Sequence, residues 1–113
     1  MAQLVVLLSG AIASGKTKVS DRLRSDFGFH VLKTRERIHA LTSGVSAERE
    51  ALQAAGEKLD VETDGRWVAT ELATFAGAHP PDALIAVDAV RIPKQIEHVR
   101  SGFGPRVKHI HLT

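Results

Sequence analysis

The chain alternates between two patterns of hydrophobic residues. Leu4-Val5-Val6-Leu7-Leu8 and Ala83-Leu84-Ile85-Ala86-Val87 are continuously apolar, as strands buried on both faces are, and the second run ends at Asp88. Helical spacings separate and follow these runs. Lys16 to Ser25 sets Val19 and Leu23 on one face, and Phe29 to Leu32 predicts a short second strand. Thr34 stands where it can cap a helix through Arg37, Ile38 and Leu41, with Gly44 marking its end. Ser46, with Arg49 and Glu50 behind it, opens a helical stretch through Leu52 and Leu59 that Asp64-Gly65 interrupts. Trp67 to Phe75 reads as a further helix, and Pro80-Pro81-Asp82 as the turn before the second apolar run. Pro93 suits the first position of a helix through Ile96 and Val99 that closes near Gly102 to Gly104, and Val107 to Leu112 is the last strand. Strands alternating with helices predict parallel strands joined by helical crossovers, an α/β domain.

Composition narrows this picture. A length of 113 residues predicts one domain, 1–113, and 43% hydrophobic residues suit a packed core rather than disorder. The formal charge is only +2, with lysines and arginines scattered among acids, so no nucleic-acid stripe is expected. The absence of cysteine excludes a disulfide framework and a thiolate zinc site. The apolar runs fall short of membrane-spanning length, and Met1-Ala2-Gln3 supplies no basic leader, so a soluble, cytoplasmic protein with no membrane partner is expected.

Chemistry enters between the first strand and the first helix. Gly10-Ala11-Ile12-Ala13-Ser14-Gly15-Lys16-Thr17 spells G-x-x-x-x-G-K-T, the phosphate-binding loop signature, in the strand-to-helix context it needs. Its glycines let main-chain N–H groups from Gly10 through Ala13, Ser14 and Gly15 turn inward on phosphate oxygens, at the positive end of the following helix. Lys16 would reach the β- and γ-phosphates and the Thr17 hydroxyl would ligate Mg²⁺, making ATP and Mg²⁺ the expected cofactors. Asp88, at the carboxyl end of the second apolar strand, stands where open parallel sheets place their ligands. It is placed either to hold Mg²⁺ and organise an acceptor or to cap the next helix.

Arg91 is a candidate phosphate clamp or a surface arginine. Thr34, Arg35 and Arg37 follow the second strand at the same edge, where they suit an acceptor phosphate or make an exposed helix face. Arg49, Gln53 and Arg66 are polar candidates on the segment facing the cleft. Trp67, the only tryptophan, is expected in the core rather than stacked on a base. His109 and His111 share one face of the last strand, the spacing of a metal pair with no third ligand near it in sequence. Ser14 lies inside the glycine-rich loop and no nucleophile elbow occurs, which argues against a serine hydrolase.

Beyond the loop, Arg49-Glu50-Ala51-Leu52-Gln53-Ala54-Ala55-Gly56-Glu57-Lys58-Leu59 resembles the R-x-x-L-Q-x-x-G-x-x-L stretch of acceptor-side helices in nucleoside monophosphate kinases and dephospho-CoA kinases. Asp88-Ala89-Val90-Arg91, followed by Gln95-Ile96-Glu97 and Phe103-Gly104, resembles their D-x-x-R pattern at the edge of the third strand. The chain is also similar to kinase-like segments that stand ahead of adenylosuccinate synthetase domains. These resemblances imply a three-layer P-loop NTPase fold with a parallel sheet in the order 2-3-1-4. ATP would lie on the loop, and the acceptor between the helix after the second strand and the Asp88 edge. Such kinases continue past the fourth strand into an arginine-bearing lid, a fifth strand and a loop for the adenine. The resemblance therefore implies a fold truncated at that point, the lid and base-binding elements coming from a further domain or subunit.

The expected function is ATP-dependent phosphoryl transfer to a nucleoside monophosphate or similar small phosphorylated acceptor. Lys16, Asp88 and Arg91 would act on the reacting groups, and Thr34, Arg35, Arg37, Arg49 and Gln53 would hold the acceptor. The alternative is an ATP-binding regulatory module or incomplete kinase of a larger nucleotide-metabolism enzyme, with no turnover of its own. A P-loop hydrolase or switch protein would need a residue to position water, which no glutamine or glutamate near Asp88 supplies, and the guanine-reading N-K-x-D motif is absent.

Overall fold

A computed structural model of the chain describes residues 4–11, 15–42 and 48–112. Within them lie β1 (Leu4–Gly10), α1 (Lys16–Phe27), β2 (His30–Lys33), α2 (Thr34–Leu41), α3 (Arg49–Thr63), α4 (Arg66–Gly77), β3 (Leu84–Asp88), α5 (Pro93–Phe103) and β4 (Val107–Leu112). A single 3-10 turn, Gly104–Arg106, leads from α5 into β4. The four strands form one parallel sheet in the order β2-β3-β1-β4, which makes β1 and β3 central. These are the two continuously apolar runs, and both of their faces are covered because helices pack on both sides of the sheet.

Side chains alternate across the strands, so β1 feeds two cores. Val5 and Leu7 join Leu32, Ile85, Val87 and Val107 beneath α3, α4 and α5, with Leu52, Val68, Leu72 and Val99 completing that layer. Val6 and Leu8 join Ala86 and Phe29 on the opposite face, where Val19 and Leu23 of α1 cover them. Trp67 belongs to the first core, as expected of it rather than a base-stacking place. No helix among the described residues is long and apolar enough to cross a membrane.

The element boundaries differ from the expected ones for local reasons. α1 runs to Phe27 rather than Ser25, because Gly28 closes it in the left-handed conformation at φ 72°. The Phe29 N–H then donates to the Leu23 carbonyl at 3.0 Å, so β2 pairing begins one residue later, where His30 faces Ile85. Thr34 is the first residue of α2 rather than its cap, which is Lys33. The α3–α4 break falls at Asp64-Gly65 as expected, with φ 55° and φ 77°. Gly44 and Ser46 lie outside the described residues.

Candidate functional site

The carboxyl ends of β1, β2 and β3 open into a cleft of about 1060 Å³. Its floor is where β1 meets α1. Gly10 leaves the strand with φ 140°, and Gly15 caps α1 with φ 98°, conformations that L side chains avoid. Lys16, the first residue of α1, folds back so that its Nζ donates to the Gly10 carbonyl at 2.5 Å and to the Ala11 carbonyl at 2.8 Å. Among the described residues no carboxylate pairs with this ammonium, which leaves its charge available to an anion in the cleft. The first turn of α1 contains no acid, so the positive end of the helix is likewise unneutralised. Thr17 follows, exposed at the same rim. Ala13 and Ser14, expected to donate main-chain N–H groups, lie outside the described residues.

Asp88 closes β3 beside this floor, in register with Leu8 of β1 and Lys33 of β2. Its Oδ2 accepts a bond from the buried Ser20 hydroxyl of α1 at 3.0 Å, which ties the carboxylate to the helix that carries Lys16 and Thr17. Among the described residues nothing else donates to this side chain, so one oxygen stays open to the cleft. The chain leaving β3 is pinned from two sides. The Val90 N–H donates to the Leu8 carbonyl at 2.8 Å, and the Thr34 hydroxyl accepts from the Ala89 N–H at 3.0 Å while donating to the Ala89 carbonyl at 2.8 Å. Thr34 therefore lines the cleft as a buried strut between α2 and the β3 exit.

The opposite wall comes from α2 and α3. Arg35, Arg49 and Gln53 line it with exposed side chains, and Arg91 reaches it from the segment before α5. Ile38, Leu52, Val90, Ile92 and Ile96 make its apolar part. Arg37 is placed elsewhere, away from the cleft: its Nε donates to Glu71 of α4 at 2.5 Å, joining two helices. The helical period explains this, since two residues along α2 turn a side chain about 200° from Arg35. Arg66 borders a separate hollow between α3 and α4, beside Trp67 and Glu71.

Two clusters draw partners from distant segments that the sequence did not bring together. The Arg91 Nη2 donates to Asp60 at 2.6 Å, and Asp60, buried in α3, also accepts from Trp67 Nε1 at 2.8 Å and Gln95 Nε2 at 2.7 Å. The second cluster joins β1 to β4. Ser9 faces His111 in the ladder, and its hydroxyl lies 2.7 Å from His109 Nε2 and 2.8 Å from His111 Nδ1 at the cleft's edge. Burial, then the charge of Arg100, then His111 lower the His109 pKa from its ordinary 6.5. Among the described residues no three His, Cys, Asp or Glu side chains group as metal ligands, so the histidine pair gains no third partner of those types there.

Basic groups on both walls, a lysine on main-chain carbonyls and one aspartate suit a ligand with several anionic groups and a divalent cation. No family model matches the chain, no curated protein is significantly similar to it, and what the cleft does rests on the geometry of its own residues.

Proposed function

We propose that the chain is a P-loop nucleotide-kinase domain that transfers the γ-phosphoryl group of ATP to a nucleoside monophosphate or similar small phosphorylated acceptor. The observation that carries this reading is the position of Lys16. Its ammonium sits on the Gly10 and Ala11 carbonyls at the head of α1, in one cleft with Asp88 on one side and Arg35, Arg49 and Arg91 on the other. Lys16 and the main-chain N–H groups of its loop bind the β- and γ-phosphates.

The Thr17 hydroxyl and the Asp88 carboxylate are hard oxygen donors. Together they fit Mg²⁺, which keeps several waters and takes few protein ligands. When bound, the ion neutralises charge on the phosphates. Ser20 keeps Asp88 oriented for that role.

Arg35 and Arg49 take the acceptor phosphate, Gln53 supplies a neutral polar contact beside them, and Arg91 sits between the two ligands. A nucleophilic oxygen of the acceptor, the phosphate oxygen of a nucleoside monophosphate or a ribose hydroxyl that gives up its proton in dephospho-CoA, forms a bond to the γ-phosphorus as the bond to the β-γ bridging oxygen breaks, giving ADP and the phosphorylated acceptor. Positioning and charge neutralisation provide most of the acceleration in such transfers, and these side chains provide both.

The test is ADP formation from Mg·ATP across ribo- and deoxynucleoside monophosphates and dephospho-CoA, with Lys16→Ala as the blank. Acceptor-dependent ADP establishes the kinase and names its substrate. ATP binding with no acceptor-stimulated turnover rejects it in favour of a nucleotide-binding module.

A further inference from the structure

Asp60 is a buried acid in α3, and Arg49, Gln53, Gly56 and Asp60 follow one another at helical spacing along the face turned to the cleft. The first two are exposed in the cleft, and the last two meet Arg91. A Cβ on Gly56 would lie 3.7 Å from the Arg91 Nη2, ordinary contact distance, and 3.0 Å from Ile38 Cδ1, so the guanidinium packs beside the α3 backbone here and the tight approach is that of Ile38. Asp60 Oδ2 then accepts Nη2 at 2.6 Å, while Oδ1 is held by Trp67 Nε1 and Gln95 Nε2 at 2.8 and 2.7 Å. Gln95 completes the seat by accepting the Arg91 main-chain N–H at 2.6 Å. Among the described residues the Arg91 Nε and Nη1 donate to no protein atom, and the side chain is 36% exposed on the cleft.

From this geometry we infer that Asp60 is the positioning residue that holds the Arg91 guanidinium at the cleft wall, its free edge presented to a phosphate group. The inference rests on the proposed nucleotide-kinase reading for the identity of that group, though not for the seat itself. A carboxylate with one oxygen fixed by two buried donors orients the arginine on its other oxygen more firmly than a surface ion pair does, because the carboxylate itself cannot swing into solvent. Arg91 therefore meets an anion without first losing side-chain freedom.

The test is calorimetric titration of inorganic pyrophosphate into the full chain carrying Lys16→Ala, which removes the lysine of the glycine-rich loop and leaves the Arg91 seat intact. Pyrophosphate is expected to bind. Adding Asp60→Asn is expected to weaken it about tenfold, the worth of one well-made charge-assisted bond. Adding Arg91→Ala weakens binding at least as much, and the two changes together do no more than Arg91→Ala alone.

Three results would overturn the inference: affinity surviving Asp60→Asn within about twofold, losses that add, or no pyrophosphate binding before either change. If Asp60→Asn does not fold, the single tryptophan decides. Trp67 and Arg91 share Asp60, so pyrophosphate binding must shift Trp67 emission at the calorimetric midpoint, and binding with unchanged emission rejects the linkage. None of these titrations uses ATP turnover, so failure of the kinase reading shows separately, in the acceptor panel.

Discussion

The hydroxyl of Ser9 carries one hydrogen and lies within bonding distance of two imidazole nitrogens. At most one of His109 Nε2 and His111 Nδ1 accepts that hydrogen, so the other must donate its own N–H to the oxygen. Protonating His109 then opposes its burial and adds a charge facing Arg100 and His111, which is why its pKa is lowered. The unfolded chain keeps the ordinary value of 6.5 and binds the proton at higher pH than the native state does. Stability therefore falls as pH drops through 6.5 towards the folded pKa and is recovered as pH rises. The melting temperature is expected to decline between about pH 7.5 and about pH 5.5, and His109→Gln to decline less. Equal declines in the two proteins would remove His109 as a source of the effect. The histidine spacing on one strand face was legible in the sequence, but the hydroxyl between the histidines comes from β1, 100 residues away from His109. Asp60 was hidden for the same reason, since its donors come from α4 and α5.

At the scale of elements, the α3–α4 turn comes close to the start of α5. Gly65 adopts φ 77°, and a Cβ there would meet the Gln95 main-chain nitrogen at 3.1 Å and Lys94 Cβ at 3.2 Å. Gly65→Ala is expected to destabilise the fold by about 2 kcal/mol, through the left-handed conformation and the approach to α5 together. Gly77, at the end of α4, has ordinary helical geometry and nothing within 4 Å of a Cβ. Gly77→Ala should stabilise by about 0.5 kcal/mol, by restricting the unfolded chain. Urea titration of both variants checks the pair, and similar losses in both would place the Gly65 effect outside the turn. Signals within one element were read well: the two apolar runs gave the central strands, Pro93 the start of α5, and Val107 to Leu112 the whole of β4. Errors arose where a neighbouring element supplied the partner. Phe29 gives its N–H to α1 and starts β2 late, and Thr34 spends its hydroxyl on β3 instead of capping α2.

For the whole molecule, the parallel order β2-β3-β1-β4 separates the cleft into two walls built by different crossovers. The β1–α1 unit carries Lys16 and Thr17, whereas Arg35 and Arg49 come from the α2–α3 segment that crosses from β2 to β3. Ser20 and Thr34 tie both units to the end of β3, so each wall keeps its place when a charged side chain on the other is removed. On the proposed reading the two ligands can then be weakened one at a time. Lys16→Ala is expected to reduce ATP affinity about a hundredfold, the loss of its bonds to two phosphates, and to change nucleoside monophosphate affinity by less than about twofold. Arg35→Ala should do the reverse, weakening the monophosphate about tenfold with ATP unaffected. Arg37→Ala serves as the control from the same helix: its bond to Glu71 lies outside the cleft, so both affinities should stay as they are. Calorimetry on the three variants with ATP and with a monophosphate measures all six affinities. A parallel loss of both ligands in Arg35→Ala would mean that one anion spans the two walls, and the cleft would then belong to a single nucleotide rather than to a donor and an acceptor.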